Sequence, residues 1–257
     1  MTVERHVNQL QIEGFTIVAI RDHEKLIDQV NRDVDDLVNS GSFRTNSKFY
    51  SYNTSPRIVE SWKHSSAARQ LAHNQQIIDV LTGYFKATVK PFSTINFLRS
   101  TQQPLHSDYV HFGTDPAFHL AAAWIALEDI DPRSGPIQIV PRSHLWPEFV
   151  YSQIGIPIAR SLGDVERNYR RYESWVRNDL EARNVGPVTP EMKKGDAILW
   201  VANLVHGSPT CNDPKISRRS QVIHYHTSEV RLFYNPVFSD PLRGKLYRRA
   251  VNFFDSE

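Results

Sequence analysis

From Ala87 onward the chain is built of short runs of Val, Ile, Thr and aromatic residues, broken by Gly and Pro, and such punctuation suits strands far better than helices. Residues 94–98, 118–127, 136–140, 196–201 and 218–226 read as strands, so the second half is mainly β. The first half differs. Residues 14–20 form a short strand, and Asp22 is placed to cap a helix whose Leu26, Ile27, Val30, Val34, Leu37 and Val38 make one apolar stripe for packing on a sheet. Residues 41–60 are polar and rich in Ser and Asn, a loop; residues 62–85 bring a second helical region through Leu71, Ile77, Ile78, Leu81, Tyr84 and Phe85.

Residues 158–194 interrupt the β half with a charged, Arg-rich segment, read as a solvated helix laced with opposite charges, with a lid as the alternative. No repeat, low-complexity tract or linker divides the chain, and 257 residues suit one domain. The expected layout is a mainly helical buttress at 1–86, a β core at 87–230 with a helical insertion at 158–190, and a C-terminal extension at 231–257. Within that extension, residues 242–254 are amphipathic enough to pack back on the core.

Charge narrows the function. Thirty Lys and Arg against 28 Asp and Glu leave a net charge of +2, without the basic stripe a nucleic-acid partner demands. No stretch approaches eighteen apolar residues, so no membrane partner is expected. Cys211 is the single cysteine, which rules out an intrachain disulfide, and it lacks the electropositive setting of a nucleophile. With no basic-then-apolar leader at the N-terminus, the expected compartment is cytoplasmic and the expected partner a small-molecule substrate.

The chemistry is concentrated in His106-Ser-Asp108 and in His206 of Leu204-Val205-His206-Gly207-Ser208. In an extended segment His106 and Asp108 project from one face while Ser107 points away, and a distant strand can bring His206 alongside. Two imidazoles and one carboxylate on one side of a metal leave the other side open, the arrangement of non-haem Fe(II) oxygenases. The same set could hold zinc for hydrolysis, or hold a metal without turnover.

With these residues in place, the chain resembles the phytanoyl-CoA dioxygenase family of Fe(II)- and 2-oxoglutarate-dependent oxygenases from about Gln11 to about His226. The matching segments, in order, are His106-Ser-Asp108; the stretch from Trp124 through Gly135-Pro-Ile-Gln-Ile-Val-Pro-Arg-Ser-His144; Gly195-Asp-Ala-Ile-Leu-Trp200; His206-Gly-Ser208; and Ser217-Arg-Arg-Ser220. The resemblance implies a double-stranded β-helix, a cupin-like jelly-roll barrel flanked by helices. It also implies iron held by His106, Asp108 and His206, with 2-oxoglutarate and O2 as cosubstrates. Arg218 and Ser208 match the family's ligands for the distal carboxylate of 2-oxoglutarate, and Trp124 matches a tryptophan lining that pocket. An arginine suits this task because its planar fork holds a carboxylate through two hydrogen bonds. Retention of Asp108 favours hydroxylation over halogenation, since halogenating relatives replace that carboxylate by a small residue. Desaturation, cyclisation and epoxidation remain open to an intact triad.

Other positions are less determined. Arg219 competes with Arg218, since strand alternation puts Arg218, Val222 and His224 on one face and Arg219, Gln221 and Tyr225 on the other. Asn96 is a candidate donor to the metal-bound end of 2-oxoglutarate, with Thr94 as its rival. His111 and His224 could reach the pocket, His144 reads as structural, and His6, His23, His64 and His73 as solvated. Lys63, Arg99, Arg142, Arg170, Arg171 and Arg177 would suit an anionic substrate if they faced the mouth, and otherwise are surface charge.

Overall fold

Leu120–Ala126, strand β5, has the sequence LAAAWIA and is buried along its whole length, because it lies near the middle of the principal sheet with packing on both faces. The computed structural model describes residues 2–43, 56–147, 149–230 and 232–251. The principal sheet contains β1 (Phe15–Ala19), β2 (Arg57–Val59), β3 (Val89–Phe97), β5, β7 (Asp196–Val201) and β9 (Ser220–Thr227). Its order is β1-β7-β5-β9-β3-β2, and every pairing is antiparallel.

Alternation along these strands separates two cores. Ala121, Ala123, Ile125, Ala197, Leu199, Ile223 and Tyr225 face outward and pack with α1 (Val3–Glu13), α2 (Glu24–Ser40), α3 (Ser66–Ala72) and α4 (Gln75–Phe85). The small side chains of β5 let these helices sit close to the sheet. On α2 the stripe Ile27, Val30, Val34 and Leu37 is buried, each side chain contributing about 1.5–3 kcal/mol of hydrophobic stabilisation. An acidic residue at Ile27 would put a charge into that layer. On the inner face Ala122, Trp124, Ala126, Ile198, Trp200 and Val222 meet Phe97, Ile137, Ile139, Met192 and Leu204.

Two short ladders complete the mainly β jelly-roll architecture: β6 (Gln138–Ile139) with β8 (His206–Gly207), and β4 (Gly113–Asp115) with β10 (Leu232–Tyr234). Among the described residues these ladders do not join the principal sheet into a closed barrel. No helix among them is long and apolar enough to cross a membrane.

Several local expectations are corrected. Asp22 does not cap α2: His23 holds the N-cap position after a 3-10 turn, and its Nδ1 lies 2.8 Å from the Asp22 carboxylate. His6 on α1 is buried rather than solvated, with Nδ1 2.8 Å from Thr16 Oγ1. The helical region 62–85 divides at Asn74, whose Oδ1 accepts from the Ile77 N–H at 3.2 Å and starts α4. Of the loop read at 41–60, Arg57–Val59 is a strand, and residues 44–55 lie outside the described residues.

The Arg-rich segment forms α5 (Leu162–Arg183), started by a reciprocal Ser161–Asp164 capping box. Its charges pair along the outer face, Arg170 with Glu166 and Arg183 with Asp179, but Tyr169, Tyr172, Val176 and Leu180 are buried, so it is a packed amphipathic helix. After β10 the chain returns as an extended segment, Asn235 N–H donating to Tyr247 O and Arg249 N–H to Phe233 O. Residues 252–254, the end of the amphipathic stretch read at 242–254, lie outside the described residues.

Candidate functional site

His106 and His206 form an antiparallel bridge, each N–H donating to the other's carbonyl at 2.8 Å. Two segments distant in sequence thereby place their imidazoles side by side, with ring centroids 4.6 Å apart. Gly207 permits this approach: a Cβ there would stand 2.8 Å from Gln103 O and 3.0 Å from the Leu105 backbone. Ser107 is extended and turns away from the imidazoles, its N–H donating to Tyr172 Oη of α5 at 2.9 Å. Asp108 therefore returns to the side of His106. One ligand atom from each of His106, Asp108 and His206 lies within 4.8 Å of the other two, and all three residues are buried.

The hydrogen bonds fix which atoms face a metal. Nδ1–H of His106 donates to Pro104 O at 2.8 Å and Nδ1–H of His206 to Leu204 O at 3.0 Å, so each Nε2 keeps its lone pair, that of His106 lying 3.0 Å from the Gln103 amide that a metal would displace. Trp200 Nε1–H donates to Asp108 Oδ2 at 2.8 Å, while Oδ1 stands 3.7 Å from His206 Nε2 and 3.8 Å from His224 Nε2. Burial, followed by its His206 and His111 neighbours, holds the His106 pKa well below the usual imidazole value and keeps the ring neutral. Burial pushes the Asp108 carboxyl upward, but His206, His224 and His106 outweigh it and the carboxylate stays ionised. Neutral nitrogen and ionised oxygen donors of this kind fit Fe(II).

The triad lines a cavity of about 180 Å³ that Arg218, Ser208 and Trp124 also line. Arg218 is 2% exposed, so almost none of its charge is solvated. One guanidinium nitrogen donates to Ser208 Oγ at 2.8 Å and to Gly135 O at 3.1 Å, and the cation lies over the rings of Trp124 at 5.6 Å and Phe97 at 5.9 Å. Burial, then the nearby Arg57, lower its pKa to about 10, so it remains a cation at neutral pH. Among the described residues its Nε has no hydrogen-bond partner. A buried guanidinium whose contacts among the described residues are neutral groups and rings fits the distal carboxylate of a dicarboxylic acid such as 2-oxoglutarate.

Arg219 points the other way, donating to Asp35 of α2 at 2.8 Å, while Gln221 and Tyr225 beside it donate to the Ala68 and Ala72 carbonyls of α3. Asn96 is a correction: it faces the helices, its Oδ1 accepting from Ser61 Oγ at 2.5 Å and its amide donating to Gln221 at 3.3 Å. Thr94 lies on the same side, 3.1 Å from Ser61 Oγ, whereas Ser93, Ile95 and Phe97 line the cavity. His111 and His224 line it too, and His144 Nε2 contacts Gln11 O. Among the described residues, none of Lys63, Arg99, Arg142, Arg170, Arg171 or Arg177 lines this cavity. Arg57, Gln103 and Arg249 do, and Tyr169 of α5 contacts Gln103 and His111 behind them. Those four, and Trp200, were missed by the sequence reading. Trp200 alone carried a signal, as the last residue of the Gly195–Trp200 segment.

Comparison with known proteins agrees with this geometry. Rat peroxisomal phytanoyl-CoA dioxygenase is 24% identical over 189 residues, covering 74% of this chain and 49% of that protein. The bovine enzyme is 26% identical over 110 residues, 43% of this chain and 29% of its own length. The chain thus spans half or less of the length of these relatives. The non-heme alpha ketoglutarate dependent carbocyclase SnoK from nogalamycin biosynthesis superposes with a TM-score of 0.69 at 15% identity, over 97% of this chain and 96% of that one. EctD from S. alaskensis, solved with 2-oxoglutarate and 5-hydroxyectoine, gives 0.67 at 18% identity, over 96% and 84%. At such identities the likeness is one of fold. The family model for phytanoyl-CoA dioxygenase (PhyH) matches residues 29–220, most of the sequence and all of the triad, and the chain belongs to that family.

Proposed function

We propose that the chain is an Fe(II)- and 2-oxoglutarate-dependent dioxygenase that hydroxylates an unactivated C–H bond of a small metabolite. The observation that carries this reading is the buried Arg218–Ser208 pair in the same cavity as the His106–Asp108–His206 triad. Hydrolysis by a metal-bound water does not itself call for a buried guanidinium, whereas a dicarboxylate cosubstrate does. When bound, iron with 2-oxoglutarate and O2 supplies the oxidising chemistry: the 2-oxo acid becomes succinate and CO2, and one oxygen atom enters the substrate.

In this reading His106 and His206 present Nε2, and Asp108 presents Oδ1, to the metal. The backbone carbonyls of Pro104 and Leu204 and the indole of Trp200 hold those donors in orientation. Arg218 and Ser208 bind the distal carboxylate, and Trp124 with Ile137 walls the cosubstrate from water. Asp108 occupies the position left to halide in halogenating relatives, which favours hydroxylation. Small-molecule partners accord with the structural neighbours solved with 2-oxoglutarate, the epimerase SnoN with nogalamycin RO and EctD with 5-hydroxyectoine.

Anaerobic titration of the Fe(II)-loaded protein with 2-oxoglutarate tests the proposal: a weak visible charge-transfer band should grow and saturate. Admitting O2 should then give succinate, increased by the correct metabolite in a screen. Absence of both the band and succinate with metal-loaded protein overturns the proposal.

A further inference from the structure

We propose that His224 is a positioning residue for the metal site: it presents a proton from Nε2 to Oδ1 of Asp108, opposite the Trp200 indole, and is not itself a metal ligand. The inference rests on the reading of His106, Asp108 and His206 as metal ligands, and not on which oxidation follows.

The sheet sets the arrangement. Ala122 of β5 pairs with Trp200 of β7 on one side and with His224 of β9 on the other. The three residues form one row across the inner face, on strands spaced about 4.8 Å apart. Within that row only the methyl group of Ala122 stands between two large side chains that can donate. The Asp108 carboxylate spans them: Trp200 Nε1–H donates to Oδ2 at 2.8 Å, and His224 Nε2 stands 3.8 Å from Oδ1.

Two imidazoles flank Oδ1 at nearly equal distance, His206 Nε2 at 3.7 Å and His224 Nε2 at 3.8 Å. Their other nitrogens tell them apart. Nδ1 of His206 carries a proton because it faces the Leu204 carbonyl at 3.0 Å, so the neutral ring offers a lone pair at Nε2. Nδ1 of His224 is buried with no hydrogen-bond partner among the described residues. A proton there would leave a buried donor unsatisfied and turn a lone pair toward a carboxylate; a proton on Nε2 faces the anion. His206 is thereby prepared to hold a metal, and His224 to hold the carboxylate that holds it. At 3.8 Å the His224 contact is electrostatic attraction rather than a formed hydrogen bond, but the two side chains are 5% and 6% exposed, so little water screens it.

Neighbouring rings confine His224 to this role. Its centroid lies 4.8 Å from that of Phe112 and 6.0 Å from that of Phe92, and Arg249 covers the Phe112 ring at 4.3 Å. Among the described residues, the group whose ligand atoms all lie within 4.8 Å of one another contains His106, Asp108 and His206 but not His224. With Oδ2 engaged by Trp200 and one side of Oδ1 by His224, the side of Oδ1 toward His206 is left for a metal.

Co(II) binding to the intact chain tests this, measured by competition with a chromophoric chelator and by the visible d–d absorption of the bound ion. His224→Phe keeps an aromatic ring beside Phe92 and Phe112 and removes the proton; Co(II) affinity should fall about 10- to 100-fold. His224→Gln places an amide N–H at the reach of Nε2 and should bring affinity to within about threefold of wild type, with the wild-type absorption spectrum. Circular dichroism checks the fold of each variant before titration, and His224→Leu, expected to weaken Co(II) binding as His224→Phe does, replaces it if the phenyl ring does not fit. Undiminished Co(II) affinity in the folded donor-less variant overturns the proposal. So does a His224→Gln protein as weak as His224→Phe, or one with an altered d–d spectrum, since an amide donor cannot stand in for a ligating imidazole. Wild type that binds no Co(II) would overturn the metal reading, and this inference with it. Co(II) binding without 2-oxoglutarate binding would strike the oxygenase reading and leave this inference standing.

Discussion

The indole N–H of Trp200 donates to Oδ2 of Asp108 at 2.8 Å, across a sequence separation of 92 residues. This bond occupies one carboxylate oxygen and leaves Oδ1 facing the imidazoles, so a residue of β7 determines how Asp108 presents itself to a metal. Trp200→Phe keeps an aromatic ring in the inner core and removes the donor. Fe(II) affinity should fall about 10- to 100-fold, the usual cost of losing a group that orients a ligand. Metal titration followed by the 2-oxoglutarate charge-transfer band measures it; unchanged affinity would show that the indole does not orient the carboxylate.

Arg218 and Arg219 are neighbours with opposite fates. Arg218→Ala should weaken 2-oxoglutarate binding by about 2–5 kcal/mol, roughly 30-fold to several thousand-fold, because a desolvated charge pair loses one partner. Arg219→Ala should leave that affinity unchanged and cost less than about 1 kcal/mol of stability, since its Asp35 partner is nearly half exposed. Calorimetry on both variants decides, and the reverse ranking would move the cosubstrate to the other face of β9.

Tyr172 ties α5 to the metal-ligand segment by accepting from the Ser107 N–H at 2.9 Å. Tyr172→Phe leaves that buried N–H without its acceptor and should destabilise the fold by about 1–3 kcal/mol in denaturant unfolding. The displacement falls between His106 and Asp108, so metal affinity should fall as well. A stability loss with metal affinity intact would make α5 a packing element only.

Acid should weaken the metal-free protein through its buried histidines. The folded pKa of His106 lies well below 6.5, and that of His111 is lowered to about 3, chiefly by burial. The unfolded chain therefore binds protons at both positions that the folded chain refuses. Stability is fully present above about pH 6.5 and declines as pH falls toward the folded pKa values, by at most about 1.4 kcal/mol per pH unit for each histidine. Urea unfolding of metal-free protein from pH 7.5 to 5 should show this slope, and His111→Gln should make it shallower. An identical slope in the variant would locate the titration elsewhere.

What the sequence determined by itself was local and periodic. Strand alternation put Arg218 and Arg219 on opposite faces, and the His106-Ser-Asp108 spacing put two ligands on one side because side chains alternate along an extended backbone. The run 196–201 was legible to the residue, since its apolar stretch begins directly after a Gly-Asp turn.

Alternation could not orient β3, whose residues are buried or half-buried on both faces and whose register with β9 shifts between Pro91 and Ser93. Asn96 was therefore placed in the pocket when it faces the helices. Trp200 above Asp108, the Arg57–Gln103–Tyr169 contacts and the return of Arg249 over Phe112 were decided only by tertiary structure. Each joins strands, helices or loops far apart in the chain, and such contacts depend on how whole elements pack rather than on the spacing of residues within one.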